Sequence, residues 1–125
     1  MLFRSFNGLP LTGIENLDGG AGQDILSWTQ SAANSAAIVV DVATGIMSLG
    51  GAIFANFAAF EAVAIQTTFF NTGSVTFTGG ASDDSARVNA TTSLLQGRAG
   101  DDRFTVLSGN ATVSGGAGEI GRAHV

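Results

Sequence analysis

The sequence predicts an all-β fold, a parallel β-roll or β-solenoid with glycine-rich corners and an irregular middle section. Three observations carry this expectation. Eighteen glycines stand against one proline in 125 residues, with no cysteine and no tyrosine; together with abundant serine, threonine, asparagine and alanine, this suits tight turns between short strands. Cut into nines from Gly79, the second half reads GGASDDSAR, VNATTSLLQ, GRAGDDRFT, VLSGNATVS, GGAGE, so glycine returns every eighteen residues at Gly79, Gly97 and Gly115, with Val88 and Val106 halfway between. The eighth place of each nine is apolar, as Ala86, Leu95, Phe104 and Val113, and Phe77 extends the series upstream. Such a unit describes half a turn of a coil: a short strand points one apolar side chain inward, a tight turn follows, and two units make a rung. Rungs pair as parallel strands roughly 4.8 Å apart. Their stability comes from stacking, because one rung cannot bury its apolar face alone.

Along the chain, the opening MLFRSFNGLPL has no continuous apolar run of the kind a cleavable signal needs. Ile14-Glu15-x-Leu17 and Phe60-Glu61-x-Val63 share an apolar-Glu-x-apolar pattern forty-six residues apart, which predicts a larger internal repeat. The stretch from Ala52 to Ile65 is the longest apolar one, but it is too short to cross a bilayer and contains Asn56 and Glu61. Ile53, Phe57, Phe60 and Ala64 have helical spacing there, in competition with the strand reading that the surrounding repeat favours. After Val63 no glycine corner follows; AIQTTFFNTG stands in its place.

Charge and composition exclude several functions. Five arginines face ten acids, for a net charge of −5, which argues against binding nucleic acid by phosphate neutralisation. Without cysteine there are no disulfide staples or thiolate metal ligands. No Ser/His/Asp or Cys/His set can be assembled around the single histidine, His124. The paired acids Asp83-Asp84 and Asp101-Asp102 recur on repeated corners rather than in a unique cleft, so the chain is not expected to be an enzyme.

The corners hold more than glycine. GGAGQD, GGASDD and GRAGDD each end on an aspartate at the sixth place, Asp24, Asp84 and Asp102. These stretches resemble the nonapeptide G-G-x-G-x-D-x-U-x of the RTX, or haemolysin-type calcium-binding, repeat family. The match is complete at Gly19 to Ser27, GGAGQDILS; Arg98 replaces the second glycine of the 97 copy, Ser82 the third glycine of the 79 copy, and Ala86 its large apolar residue. Val40 to Gly45, VDVATG, resembles the strand that follows a glycine corner in the larger units of RTX-like repeat tracts, which implies a strand there. The resemblance to the nonapeptide covers residues 79–118 and 11–27. It implies Ca2+ held between stacked corners one rung apart, because one corner offers too few oxygens for a cation that takes six to eight.

On that resemblance the first expected site joins the 79 and 97 corners through Gly79, Gly80, Asp84, Gly97, Gly100 and Asp102. The second joins the 97 corner to Gly115, Gly116 and Gly118 with Asp102 alone, since Ile120 holds the sixth place of the last unit. Gly19, Gly20, Gly22 and Asp24 come third, because residues 37–42, AIVVDV, offer no glycine corner one rung later. VNATTS and VLSGNA, on the opposite edge, have no acid and should hold no ion. Asp18, Asp83 and Asp101 are expected to be solvated neighbours. The resemblance further implies a secreted protein exported by a type I system, whose partners are calcium ions, neighbouring repeats and host or cell-surface ligands. The expected function is a calcium-binding segment of an adhesin or surface protein; the alternatives are the calcium-dependent tail of a secreted enzyme and a metal-free adhesive solenoid.

The tail, GGAGEIGRAHV, contains a GxGxxG spacing at Gly116, Gly118 and Gly121. No helix can follow it to make a dinucleotide-binding unit, and the glycine corner explains its first two glycines. EIGRAHV is also what a widely used sequencing adapter encodes in frame. The expectation is therefore a repeat segment at 1–118, cut from a longer chain, and a non-native read-through at 119–125.

Overall fold

Strands β1 (Leu2–Asn7), β2 (Glu15–Asp18), β3 (Asp24–Thr29), β4 (Ile38–Asp41), β5 (Ile46–Leu49), β6 (Ala52–Ala58), β7 (Ala62–Thr78), β8 (Ser85–Gln96), β9 (Asp102–Ser114) and β10 (Ile120–His124) make up one sheet, and no helix occurs among the described residues. The computed structural model describes residues 2–7, 15–29, 35–60, 62–115 and 120–124. Ala52–Ala58 and the start of β7 are strand rather than helix. Among the described residues no helix is long and apolar enough to cross a membrane.

The eighteen-residue period sets the register of the second half. β8 and β9 pair in parallel with Ala86 opposite Phe104, Val88 opposite Val106 and Leu95 opposite Val113, each eighteen residues on. β10 continues the offset, Ile120 lying opposite Asp102. The backbone of residues 120–124 therefore adds a strand to the sheet. Phe77, Leu95 and Phe104 are fully buried, and Val113 packs against the core from a partly covered position. Phe77 and Phe104 meet edge to face at 5.9 Å, an arrangement that aromatic quadrupoles favour.

The halves of each rung are not joined as the nonapeptides suggested. β8 is one continuous strand in which Ala86, Val88 and Ala90 face the core, Thr91 and Thr92 are both exposed, and Ser93 and Leu95 face the core again. Two successive outward residues switch the inward face and bend the strand, so VNATTS is a bend inside a strand and not a tight corner. β9 bends at the same level through Gly109, whose φ is +78° and whose missing Cβ would fall on the Ala90 carbonyl oxygen. Side chains replace the backbone ladder where the register shifts. Asn71 Nδ2 donates to the Asn89 carbonyl at 3.2 Å, Asn89 N donates to Thr67 Oγ1 at 3.3 Å, and Ser108 Oγ donates to Asn89 Oδ1.

A wholly parallel roll is not what forms; the sheet is mixed. β4 lies parallel to the second half of β7, but β4 with β5 and β5 with β6 are antiparallel. VDVATG is not one strand: Val40 and Asp41 finish β4, and residues 42–45 make a hairpin turn. Asp41 ends β4 and its Oδ1 accepts the N–H groups of Ala43 at 3.0 Å and Thr44 at 3.3 Å, while Gly45 N donates to the Asp41 carbonyl at 2.8 Å. β2 stacks on β6 with Leu17 opposite Phe57, an offset of forty residues. Leu17 lies before its corner and Val63 after one, so the forty-six-residue similarity does not correspond to the stacking.

Hydrogen bonding thus runs along two branches that share β7, β8 and β9. One is β1-β3-β7-β8-β9-β10, and the other is β2-β6-β5-β4-β7-β8-β9. The β4–β5 hairpin is inserted in the second branch alone. Trp28, Leu26, Ile65, Ile38, Val40 and Met47 fill the core beneath the hairpin and the first rungs.

Candidate metal centre

The glycine corners stack in one column where β7, β8 and β9 meet the strands that follow them. Gly79 N donates to the Gln96 carbonyl at 2.7 Å and Gly97 N to the Ser114 carbonyl at 2.8 Å. The next residues repeat the pattern, with Ala99 N donating to the Gly80 carbonyl at 3.3 Å and Asp101 N to Asp83 Oδ1 at 2.7 Å. A Cβ on Gly79 would meet the Gly97 carbonyl, and one on Gly100 would meet the Ser82 backbone at 2.5 Å. Close stacking is therefore sufficient to require glycine at both places.

Corners of similar sequence differ in path. In the 19 corner, Gly20 and Gly22 have φ of +79° and +101°; in the 97 corner, Arg98 and Gly100 have φ of +65° and +89°. The 79 corner has neither left-handed residue. Ser82 stands at its fourth place, where a left-handed backbone would be strained, and the corner takes another route that delivers Gly80 N to Asp84 Oδ2 at 2.8 Å.

All three sixth-place aspartates point inward. Asp24, Asp84 and Asp102 are 1%, 3% and 2% exposed, whereas Asp18, Asp83 and Asp101 are exposed to solvent. Asp84 shares strand parity with Ala86 and Val88, which places its side chain on the buried face. Its Oδ1 accepts Val63 N from the preceding rung at 2.8 Å, and Asp102 Oδ1 likewise accepts Asp84 N at 2.9 Å. Each carboxylate therefore faces the rung before its own.

Asp102 differs from Asp84 in one respect. Its Oδ2 is buried without a hydrogen-bond partner, against the bare Cα of Gly97 and on the side where the Gly115 carbonyl also approaches. Burial pushes the Asp102 carboxyl up to about 6 against the pull of the Asp84 N–H, and the negative charges of Asp84, Asp83 and Asp101 add to the rise. Burial also raises Asp84, opposed by the Gly80 and Val63 N–H groups.

The structure therefore brings Gly79, Gly80, Asp84, Gly97, Gly100, Asp102 and Gly115 to one edge in successive rungs. Gly116 and Gly118 lie outside the described residues. The corner of Gly19, Gly20, Gly22 and Asp24 stacks on Ala58 and Ala59, through Gly19 N donating to the Ala58 carbonyl at 3.0 Å, and not on residues 37–42. Sequence reasoning missed the Val63 N–H as a carboxylate partner, since the twenty-one-residue offset between Ala64 and Ser85 departs from the repeat.

An orphaned buried carboxylate oxygen and an all-oxygen donor set fit a hard cation such as calcium. No cluster of three or more His, Cys, Asp or Glu occurs among the described residues, so most ligands of any such ion would have to be corner carbonyls. No protein-family model, curated protein or solved structure matches this chain.

Proposed function

We propose that the chain is a calcium-binding structural repeat segment of a secreted adhesin or surface protein, its rungs stacked as a β-roll. The observation that carries this reading is Asp102 Oδ2, buried and without a donor in a column of mutually repelling carboxylates. Such a group is costly as an anion unless a cation or a proton neutralises it. Asp102 would be the principal ligand, assisted by carbonyls of the 79 and 97 corners and of Gly115, with Asp84 second. The ion's role would be to bridge successive rungs and cancel their repulsion. Low calcium inside a cell would then leave the column unneutralised, and millimolar calcium outside would complete it. The acidic, cysteine-free composition supports the same route.

A metal-free adhesive solenoid has one observation in its favour: both oxygens of Asp84 already accept backbone N–H groups. Calcium titration of the full chain followed by circular dichroism and thermal unfolding separates the two. Calcium should raise β content and the midpoint, chelation should reverse both, and Asp102→Ala should abolish the response while Asp101→Ala leaves most of it. A chain equally stable with and without calcium, and indifferent to Asp102→Ala, would establish the metal-free reading.

A further inference from the structure

The inserted hairpin opens a cavity at the corner column. Ala59 and Phe60 turn the chain from β6 into β7, and Gly79 to Asp84 turn it from β7 into β8. The strands leaving these corners are direct neighbours, Ala64 lying opposite Ser85. The strands entering them, β6 and the second half of β7, are separated by β5 and β4. Two corners that stack on one side and stand two strands apart on the other must splay. The space between them is a cavity of about 600 Å³ walled by Val42, Ala43, Ala59 and Phe60, with both Asp84 and Arg98 in its lining. That volume lies in the range of small-molecule sites, which pair apolar walls with a few placed polar groups.

We infer that this cavity binds a small monocationic ammonium compound with an apolar body. Among the described residues of its lining Asp84 is the one acid, and its Oδ1 accepts Val63 N from the preceding rung. Val63 N and Gly80 N hold the two oxygens in place, and each oxygen keeps a second acceptor position. An ammonium group supplies the donors and the charge that this position takes. The aliphatic and aromatic walls accept its hydrocarbon portion, and the net charge of −5 favours approach of a cation. The inference does not rest on the calcium reading, which centres on Asp102.

The test uses phenethylammonium as the probe and phenethyl alcohol as its neutral counterpart, with binding to the full chain followed by calorimetry and NMR shifts in EDTA. Phenethylammonium should bind saturably, with the largest shifts at Ala43, Phe60 and Ala81. It should bind about tenfold or more tightly than the alcohol, the difference expected for a charge-assisted hydrogen bond. Asp84→Asn should remove that preference. Ala43→Trp and Ala81→Trp, both at exposed places, should block binding with the fold intact, so they decide the matter if Asp84→Asn fails to fold. Equal affinity for the two compounds, or binding indifferent to both tryptophan substitutions, would overturn the inference. Loss of the calcium response with retained phenethylammonium binding would overturn the metal reading alone.

Discussion

In calcium-free solution the stability of this chain should fall as the pH rises from about 4 to about 6, and Asp102 should be the main cause. Its folded-state carboxyl titrates near 6, against an ordinary value of 3.8. Below about pH 4 folded and unfolded chains both hold the proton, so the group contributes no difference. Between these values the unfolded chain releases its proton and the folded chain keeps it, so stability declines with pH; above about 6 both are ionised and the loss is complete. A rise of about two units corresponds to about 3 kcal/mol, an upper figure because the column can relax. Asp84 is raised in the same direction and adds to the slope. Asp102→Asn removes the titration, keeps an acceptor for the Asp84 N–H, and places an amide donor where Oδ2 faces Gly97 and the Gly115 carbonyl. The variant should be more stable than the parent by about 1 to 3 kcal/mol at pH 7 and nearly equal at pH 4. Urea unfolding in EDTA, followed by fluorescence of the single, fully buried Trp28, measures both. A flat parent profile from pH 4 to 6, or a variant with the parent's slope, would refute the reasoning. Saturating calcium should remove the loss above pH 6, because the ion stabilises the charged form.

Two substitutions test the backbone. Arg98 carries a Cβ at φ +65°, so Arg98→Gly should stabilise the chain by about 1 kcal/mol and raise the thermal midpoint by about 4 °C; a lower midpoint would mean that the guanidinium's contacts outweigh the strain. Gly109→Ala adds a left-handed alanine and drives its Cβ onto the Ala90 carbonyl. It should cost more than about 2 kcal/mol in urea unfolding, and a cost under about 1 kcal/mol would show that the β9 bend is loosely held.

The part of the fold legible in the sequence is the part governed by local rules. Strand parity and glycine recurrence are both visible in residues 79–114, and they place Phe77, Leu95 and Phe104 in the core and the 79 and 97 corners on one edge. The same parity carried a second consequence. Asp84 is in phase with Ala86, Val88 and Ala90, and Asp102 with Phe104 and Val106, so sixth-place acids point toward the core before any ligand is considered. The absence of glycine and acid set VNATTS apart from a corner, but not as a bend inside one strand, because that depends on Asn89 bonding to Thr67 and Ser108 on the rungs beside it. Which polar side chains lie alongside depends on register, and register depends on the whole stack.

The hairpin shows the same limit more sharply. Apolar runs on both sides of Asp41 and Gly45 allow IVVDVATGIMSL to turn back on itself, and a carboxylate that caps two N–H groups is a local turn signal. The composition of the segment allows β4 and β5 to lie anywhere. Their place between β6 and β7 follows from Val40 meeting Phe77 and Met47 meeting Ala55, contacts between segments with no shared repeat. The splayed corner, and with it the cavity beside Asp84, exists because one branch of the sheet gained two strands that the other did not. A period read along the chain cannot reveal a mismatch between branches, since both are built from the same repeating units and differ only in what was inserted between them.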